Sequence, residues 1–255
     1  MTETLFVPGT PRIALAVAGR GPLVLFLHGI GGNRNHWLHQ LGFFSRHGFR
    51  AAAWDARGYG ESEDYDGPLH FDDFSSDLVR TLDHLDEKQV HLVGLSMGGR
   101  IARNFALKHP ERVRTLTLAN TSPGFDALTP EEVLKFVEER RHRTPESTRR
   151  LLGSRASREA HEALLASFHA LRNDSYLKTL EASVAQDRAV PIENLAVPTL
   201  VITGDEDRVY PLALQRKMAS RIPGAQLVVL EQCGHLSNLE QPERFNQVLL
   251  DFLRK

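Results

Sequence analysis

Between Pro22 and Gly29 the chain reads PLVLFLHG, an uninterrupted apolar run that closes on a histidine and a glycine. A strand with one wet face alternates polar and apolar residues. One with no polar position is buried on both faces, as strands are inside a parallel sheet. Further strand-like runs return at FRAAAW (49–54), VHLVGLS (90–96), VRTLTLAN (113–120), VPTLVITGDED (197–207) and AQLVVLEQCGH (225–235). Helical patterns separate them. Residues 71–85 place Phe71, Phe74, Leu78, Leu82 and Leu85 on one helical stripe, and segments 35–47, 98–110, 211–222 and 241–255 complete the alternation. Ahead of the first buried run, Thr4–Val7 and Arg12–Val17 flank Pro8-Gly9-Thr10-Pro11, which predicts a hairpin at a sheet edge. The expected fold class is α/β, with a mostly parallel central sheet and helices on both faces.

The rhythm breaks once. From Ser122 to Val190 there is no strand-like run, and the composition is charged and helical. Thr129-Pro130-Glu131-Glu132 opens a helix with a capping residue, a first-turn proline and acids near the positive end of the dipole. The expected organisation is a core of residues 1–121 and 191–255, with 122–190 a short helical cap inserted after the sixth strand. Within the cap, Arg140, Arg141, Arg143, Arg149, Arg150, Arg155 and Arg158 face a single acid, Glu146, over residues 140–158. That pattern reads as a solvated helical face, or as a source of one or two arginines that meet a substrate carboxylate.

Ligands of such sheets bind beyond the carboxyl ends of the strands. Ser96 follows one predicted strand, Asp205, Glu206 and Asp207 follow another, and His235 follows a third. A serine hydroxyl is a weak nucleophile at neutral pH. It needs an imidazole to take its proton and a carboxylate to orient that imidazole. Gly94 and Gly98 flank the serine where a strand bends into a helix, the setting of a strained turn that projects a nucleophile. The backbone N–H of Met97 and that of Ile30, in LHGIGGN (27–33), can form an oxyanion hole, typically worth about 10²–10³ in rate per donor.

With these residues assembled, the chain resembles the α/β-hydrolase family over nearly its whole length. The resemblance rests on the His28-Gly29-x-Gly31 corner, the turn Asp55-x-Arg57-Gly58-x-Gly60-x-Ser62, Gly94-x-Ser96-x-Gly98, Gly204-x-x-Asp207 and Gly234-His235. It implies Ser96 as nucleophile, His235 as general base and acid, and Asp207 as the orienting carboxylate. Some members carry the acid after the strand that ends near 119, a place held here by Asn120. The elbow, HGIGG and LANTS (118–122) look most like 3-oxoadipate enol-lactonases and related carboxylesterases, implying attack on an ester or lactone through an acyl-enzyme. Hydrolysis of a carbon–carbon bond in a ring-cleavage product, by the same three residues, is the alternative. A slow or inert ligand receptor on this fold is the alternative from another class.

Other residues read as structural: His28, Asp55 and Arg57 as turn supports, Cys233 as packing, and His36 and His39 as surface or loop residues. There is no His-Glu-x-x-His, and the glycine-rich corners continue into neither a P-loop nor a dinucleotide fingerprint, so neither metal nor cofactor is expected. Lys+Arg 31 against Asp+Glu 32 leaves no global field for nucleic acid. The apolar runs are too short to span a bilayer, no signal peptide is recognised, and one cysteine allows no internal disulfide. These traits together predict a cytoplasmic protein acting on a small-molecule ester or lactone, without nucleic-acid or membrane partners.

Overall fold

A computed structural model describes residues 2–124, 129–141, 144–186 and 190–255. Eight strands form one sheet in the order β1-β2-β4-β3-β5-β6-β7-β8. They are β1 (Glu3–Val7), β2 (Ile13–Gly19), β3 (Leu23–Leu27), β4 (Arg50–Trp54), β5 (Val90–Leu95), β6 (Val113–Ala119), β7 (Thr199–Gly204) and β8 (Gln226–Leu230). The β1–β2 and β2–β4 pairs are antiparallel, and every pair from β4–β3 to β7–β8 is parallel. The N-terminal hairpin thus lies at the edge, where Pro8 and Pro11 cost no ladder bond. All of β3, β5 and β7 is buried, the condition that the unbroken apolar sequence of β3 predicted.

Each face of the sheet carries its own core. On one, α2 (Asp73–His84) contributes Phe74, Leu78 and Leu82, and α3 (Met97–Lys108) contributes Ile101, Ala102 and Phe105. On the other, α1 (Leu38–Arg46) packs Leu41 and Phe44 against Phe245 and Leu249 of the C-terminal helix Pro242–Leu253. The segment predicted as helix over 35–47 begins with a 3₁₀ turn, Arg34–Trp37, before α1 takes over. The described parts of 122–190 contain no strand. They form α4 (Pro130–Arg141), α5 (Pro145–Thr148), α6 (Arg158–His169) and α7 (Asn173–Ala185). Beyond β7 come α8 (Leu212–Arg221), the one-turn helix α9 (Ser237–Glu240) and α10 (Pro242–Leu253). Among the described residues no helix is long and apolar enough to cross a membrane.

The β5–α3 corner shows why glycines punctuate this fold. A Cβ on Gly98 would come 2.2 Å from the Leu27 carbonyl oxygen, and one on Gly94 would come 2.2 Å from the Gly98 carbonyl oxygen. Both obstacles are backbone, which cannot swing aside. Gly98→Ala is expected to destabilise the fold by about 1–3 kcal/mol, the usual cost of overpacking, read as a lower urea midpoint at unchanged m-value.

Candidate active site

Ser96 follows β5 directly, with φ 55° and ψ −114°, a positive-φ conformation that costs a non-glycine residue about 1–3 kcal/mol. Its neighbours hold the strain. Ser96 N–H donates to the Ala119 carbonyl at 2.9 Å, and Thr121 Oγ1 donates to the Ser96 carbonyl at 2.7 Å. The next residue starts α3, so the positive end of that helix lies at the bend. The HGIG corner approaches closely from β3, since a Cβ on Gly29 would stand 3.3 Å from Ser96 Cβ. Among the described residues the N–H groups of Ile30 and Met97 donate to no protein acceptor.

His235 and Asp207 arrive from the ends of β8 and β7. His235 Nδ1 donates to Asp207 Oδ2 at 2.9 Å, which leaves Nε2 as the acceptor nitrogen. Of the three candidate acids, only Asp207 makes this contact. Asp205 Oδ1 accepts from Cys233 N–H at 3.4 Å, and Glu206 accepts from Ser154 Oγ at 2.8 Å. The other Asp207 oxygen accepts from the N–H groups of Val209 (2.8 Å) and Tyr210 (3.0 Å). Burial alone pushes the Asp207 carboxyl upward, but the charge and hydrogen bond of His235 outweigh it, helped by Tyr210 N–H and Asn120. The carboxyl therefore lies below its ordinary range. Ser96, Asp207 and His235 are 8%, 4% and 5% exposed. Ser96 and His235 share the wall of one cavity of about 730 Å³ but no hydrogen bond. Such nucleophile–base contacts are often loose until substrate binds.

Asn120 does more than stand where another acid could have been. It adopts φ 45°, a left-handed conformation that asparagine tolerates better than most residues. Its Nδ2 donates to Asp207 Oδ2 and to the Gly234 carbonyl, each at 3.0 Å, while its Oδ1 accepts from Ser237 Oγ at 2.6 Å. One amide thus joins the acid to the His235 loop. Asn120→Gly keeps the backbone geometry and removes all three bonds, one of them to a charged group and worth about 1.5–3 kcal/mol of stability. We expect kcat/KM to fall about 10–100-fold together with a lower melting temperature, read on the fraction that remains folded.

His36 corrects the expectation of a surface residue. It is 2% exposed, lines the same cavity, and its Nε2 lies 2.7 Å from Ser167 Oγ on α6. Burial holds its pKa down at about 3, so the ring is neutral. Ser167 Oγ also reaches the Gly31 carbonyl at 3.0 Å, joining the inserted helices to the HGIG corner. His39 is half-exposed beside Glu159 at 3.5 Å. The remaining turn residues are structural. His28 is buried between the Gly29 carbonyl and Ala56 N–H, Asp55 binds Arg34 N–H and Glu61 N–H, and Arg57 pairs with Asp77 at 2.7 Å. Cys233 is buried and burial pushes its thiol pKa up.

The arginines divide by place. Arg141 pairs with Glu138 at 2.8 Å and Arg158 with Glu162 at 2.6 Å, both on the surface. Arg143 and the Arg140 side chain lie outside the described residues. Arg150 alone of the set lines the Ser96 cavity among the described residues, together with Phe168, Leu171 and Tyr210. A cation that sequence alone did not single out is Arg100 of α3, 3% exposed on the same wall and donating to the Ser183 carbonyl at 3.2 Å. Among the described residues no cluster of three His, Cys, Asp or Glu is placed to hold a metal ion.

Residues 22–242 match the model of a family described as the α/β-hydrolase fold. Among curated proteins, a 2-hydroxy-6-oxononadienedioate/2-hydroxy-6-oxononatrienedioate hydrolase of Paraburkholderia phymatum is 33% identical over 92% of this chain and 88% of its own. The 3-oxoadipate enol-lactonase 2 of Acinetobacter baylyi is 28% identical over 89% of this chain and 87% of its own. Among solved structures, a thermophilic esterase from Thermogutta terrifontis superposes with a TM-score of 0.86 at 30% identity, covering 100% of this chain and 98% of that one.

Proposed function

The chain belongs to the α/β-hydrolase family and is a hydrolase; from that premise we propose that it cleaves the carbon–carbon bond beside a ketone in a carboxylated, ring-cleavage-type oxo-dienoate. The observation that carries this reading is the 33% identity, over 92% of the chain, to a hydrolase named for an oxononadienedioate. The cavity supports it. About 730 Å³ accommodates a small conjugated acid, the lining by Leu164, Phe168 and Leu171 suits its unsaturated chain, and Arg150 offers a partner for a carboxylate.

In the proposed reaction His235 Nε2 takes the Ser96 proton as Oγ attacks the ketone carbon. The developing oxyanion is met by the N–H groups of Ile30 and Met97. The 2-hydroxy-dienoate has by then ketonised, its hydroxyl proton having moved to the carbon beside the ketone. When the carbon–carbon bond breaks, its electron pair therefore delocalises through the remaining double bond onto the 2-oxygen, which the imidazolium protonates. Water, deprotonated by His235, then releases the acyl group from Ser96 as a carboxylic acid. The inserted helices serve as the cap over this cavity, with 1–121 and 191–255 as the core. Ester or lactone cleavage by the same residues is the second reading, favoured by the resemblance to the enol-lactonase and the esterase.

The test is kcat/KM for a 2-hydroxy-6-oxo-dienedioate, a carboxylated enol-lactone and a neutral short-chain aryl ester. The first should be preferred, and Arg150→Gln should cut its kcat/KM about 10–100-fold while leaving the neutral ester within about twofold. Preference for the lactone moves the assignment to the second reading. Preference for the neutral ester does the same on its ester side, and turnover of none of the three sinks both.

A further inference from the structure

Glu240, the last residue of α9, is 8% exposed and five residues beyond His235, yet nothing in the proposed chemistry uses it. Its carboxylate collects backbone donors from two segments distant in the chain. Oε2 accepts from Gly153 N–H at 2.7 Å and from Gly234 N–H at 3.0 Å, and Oε1 accepts from Leu236 N–H at 3.1 Å. Gly234 and Leu236 bracket His235, while Gly153 belongs to the insertion. The same two segments meet directly, because His235 N–H donates to the Leu151 carbonyl at 2.7 Å. Their approach needs glycine on both sides. A Cβ on Gly153 would come 2.6 Å from Gly234 N, and one on Gly234 would come 2.4 Å from Gly153 N.

We propose that Glu240 is a positioning residue, whose carboxylate fixes the backbone on either side of His235 against the 151–153 segment and so sets the imidazole and the pocket wall together. The inference rests on His235 being the base for Ser96. The geometry supports it in two ways. Both loops would otherwise bring buried N–H groups together with no acceptor, and an unsatisfied buried donor is costly. Leu151 also lines the Ser96 cavity, so a shift of this segment moves the substrate wall and the base at once. Burial lifts the Glu240 carboxyl above its ordinary range, and the Gly234, Gly153 and Leu236 N–H groups and the His235 charge pull it back. The Glu240 charge in turn helps push the Cys233 thiol pKa up.

Glu240→Gln tests the proposal, because the amide NH₂ cannot accept and at least one of the three bonds is lost. Gly153→Ala provides a second route to the same displacement with the carboxylate retained. Active sites are titrated with a fluorophosphonate, and kcat per titrated site and KM are measured on a short aryl ester. The expected result for either variant is a fall in kcat per titrated site of about 10-fold or more, up to about 10²-fold, with KM little changed. A merely structural role lowers the melting temperature and the titrated fraction but leaves kcat per titrated site at the wild-type value, and that result overturns the proposal. If wild type itself takes no label at Ser96, the catalytic reading beneath the proposal falls with it, which is a distinguishable failure.

Discussion

Replacement of Ser96 by alanine should lower kcat by about 10⁶-fold, the loss seen when the nucleophile of a cooperating triad is removed. The effect is large because Ser96 has no substitute at the bend. It is held at φ 55° by bonds to Ala119 and Thr121, and α3 begins at the next residue. The Thr121 hydroxyl beside it is spent on the Ser96 carbonyl, at 2.7 Å. The variant should nonetheless fold, and alanine at the same φ carries the same backbone strain as serine. Single-turnover kinetics with a circular dichroism control separate the two quantities. Stability within about 1 kcal/mol of wild type, with activity gone, is the expected pairing.

Asp207→Asn should cost about 10⁴-fold in kcat, by a different route. In the wild type both carboxylate oxygens accept, one from the Val209 and Tyr210 N–H groups and the other from His235 Nδ1–H and Asn120 Nδ2. Asparagine has one oxygen. If that oxygen stays with the two backbone donors, an NH₂ group faces His235 Nδ1 and stabilises the tautomer protonated at Nε2. That nitrogen can then no longer take the serine proton. The substitution also changes stability with pH. A carboxyl held below its ordinary value in the folded state stabilises the protein above the unfolded-state pKa, and that contribution is lost as pH falls through the folded-state pKa. The variant should therefore show a flatter acid limb in a stability–pH profile, together with an activity loss that rising pH does not restore. Full activity at high pH would place the defect in charge and not in tautomer.

Much of this architecture was legible in the sequence because each unit carried its own local signal. β3 announced itself by an unbroken apolar run, β5 and β7 by mostly apolar ones, α2 by a stripe from Phe74 to Leu82, and the ends of β5 and β7 by Gly94 and Gly204. Ser96, Asp207 and His235 were readable as candidates because each follows such a strand. What escaped depended on contacts between distant segments. His36 looks like a loop residue until Ser167, 131 positions away, folds onto it. Asn120 offers only a faint hint, an asparagine at a strand end, and its bridge from Asp207 to Gly234 requires three loops to converge. Which arginine reaches the cavity was likewise invisible, since Arg150, Arg141 and Arg158 sit in one basic run and only packing separates them. The choice between carbon–carbon and ester cleavage escaped for a related reason. Both can use one nucleophile, base and oxyanion hole, and the difference lies in how the pocket holds the leaving group.

The central claim, that Ser96 is a nucleophile activated by His235 and Asp207, is tested most directly by mass spectrometry after reaction with a fluorophosphonate. The account predicts one adduct per chain, located on the peptide containing Ser96, absent from Ser96→Ala and formed much more slowly in Asp207→Asn. An adduct on another residue, or full catalytic activity in Ser96→Ala, would contradict it.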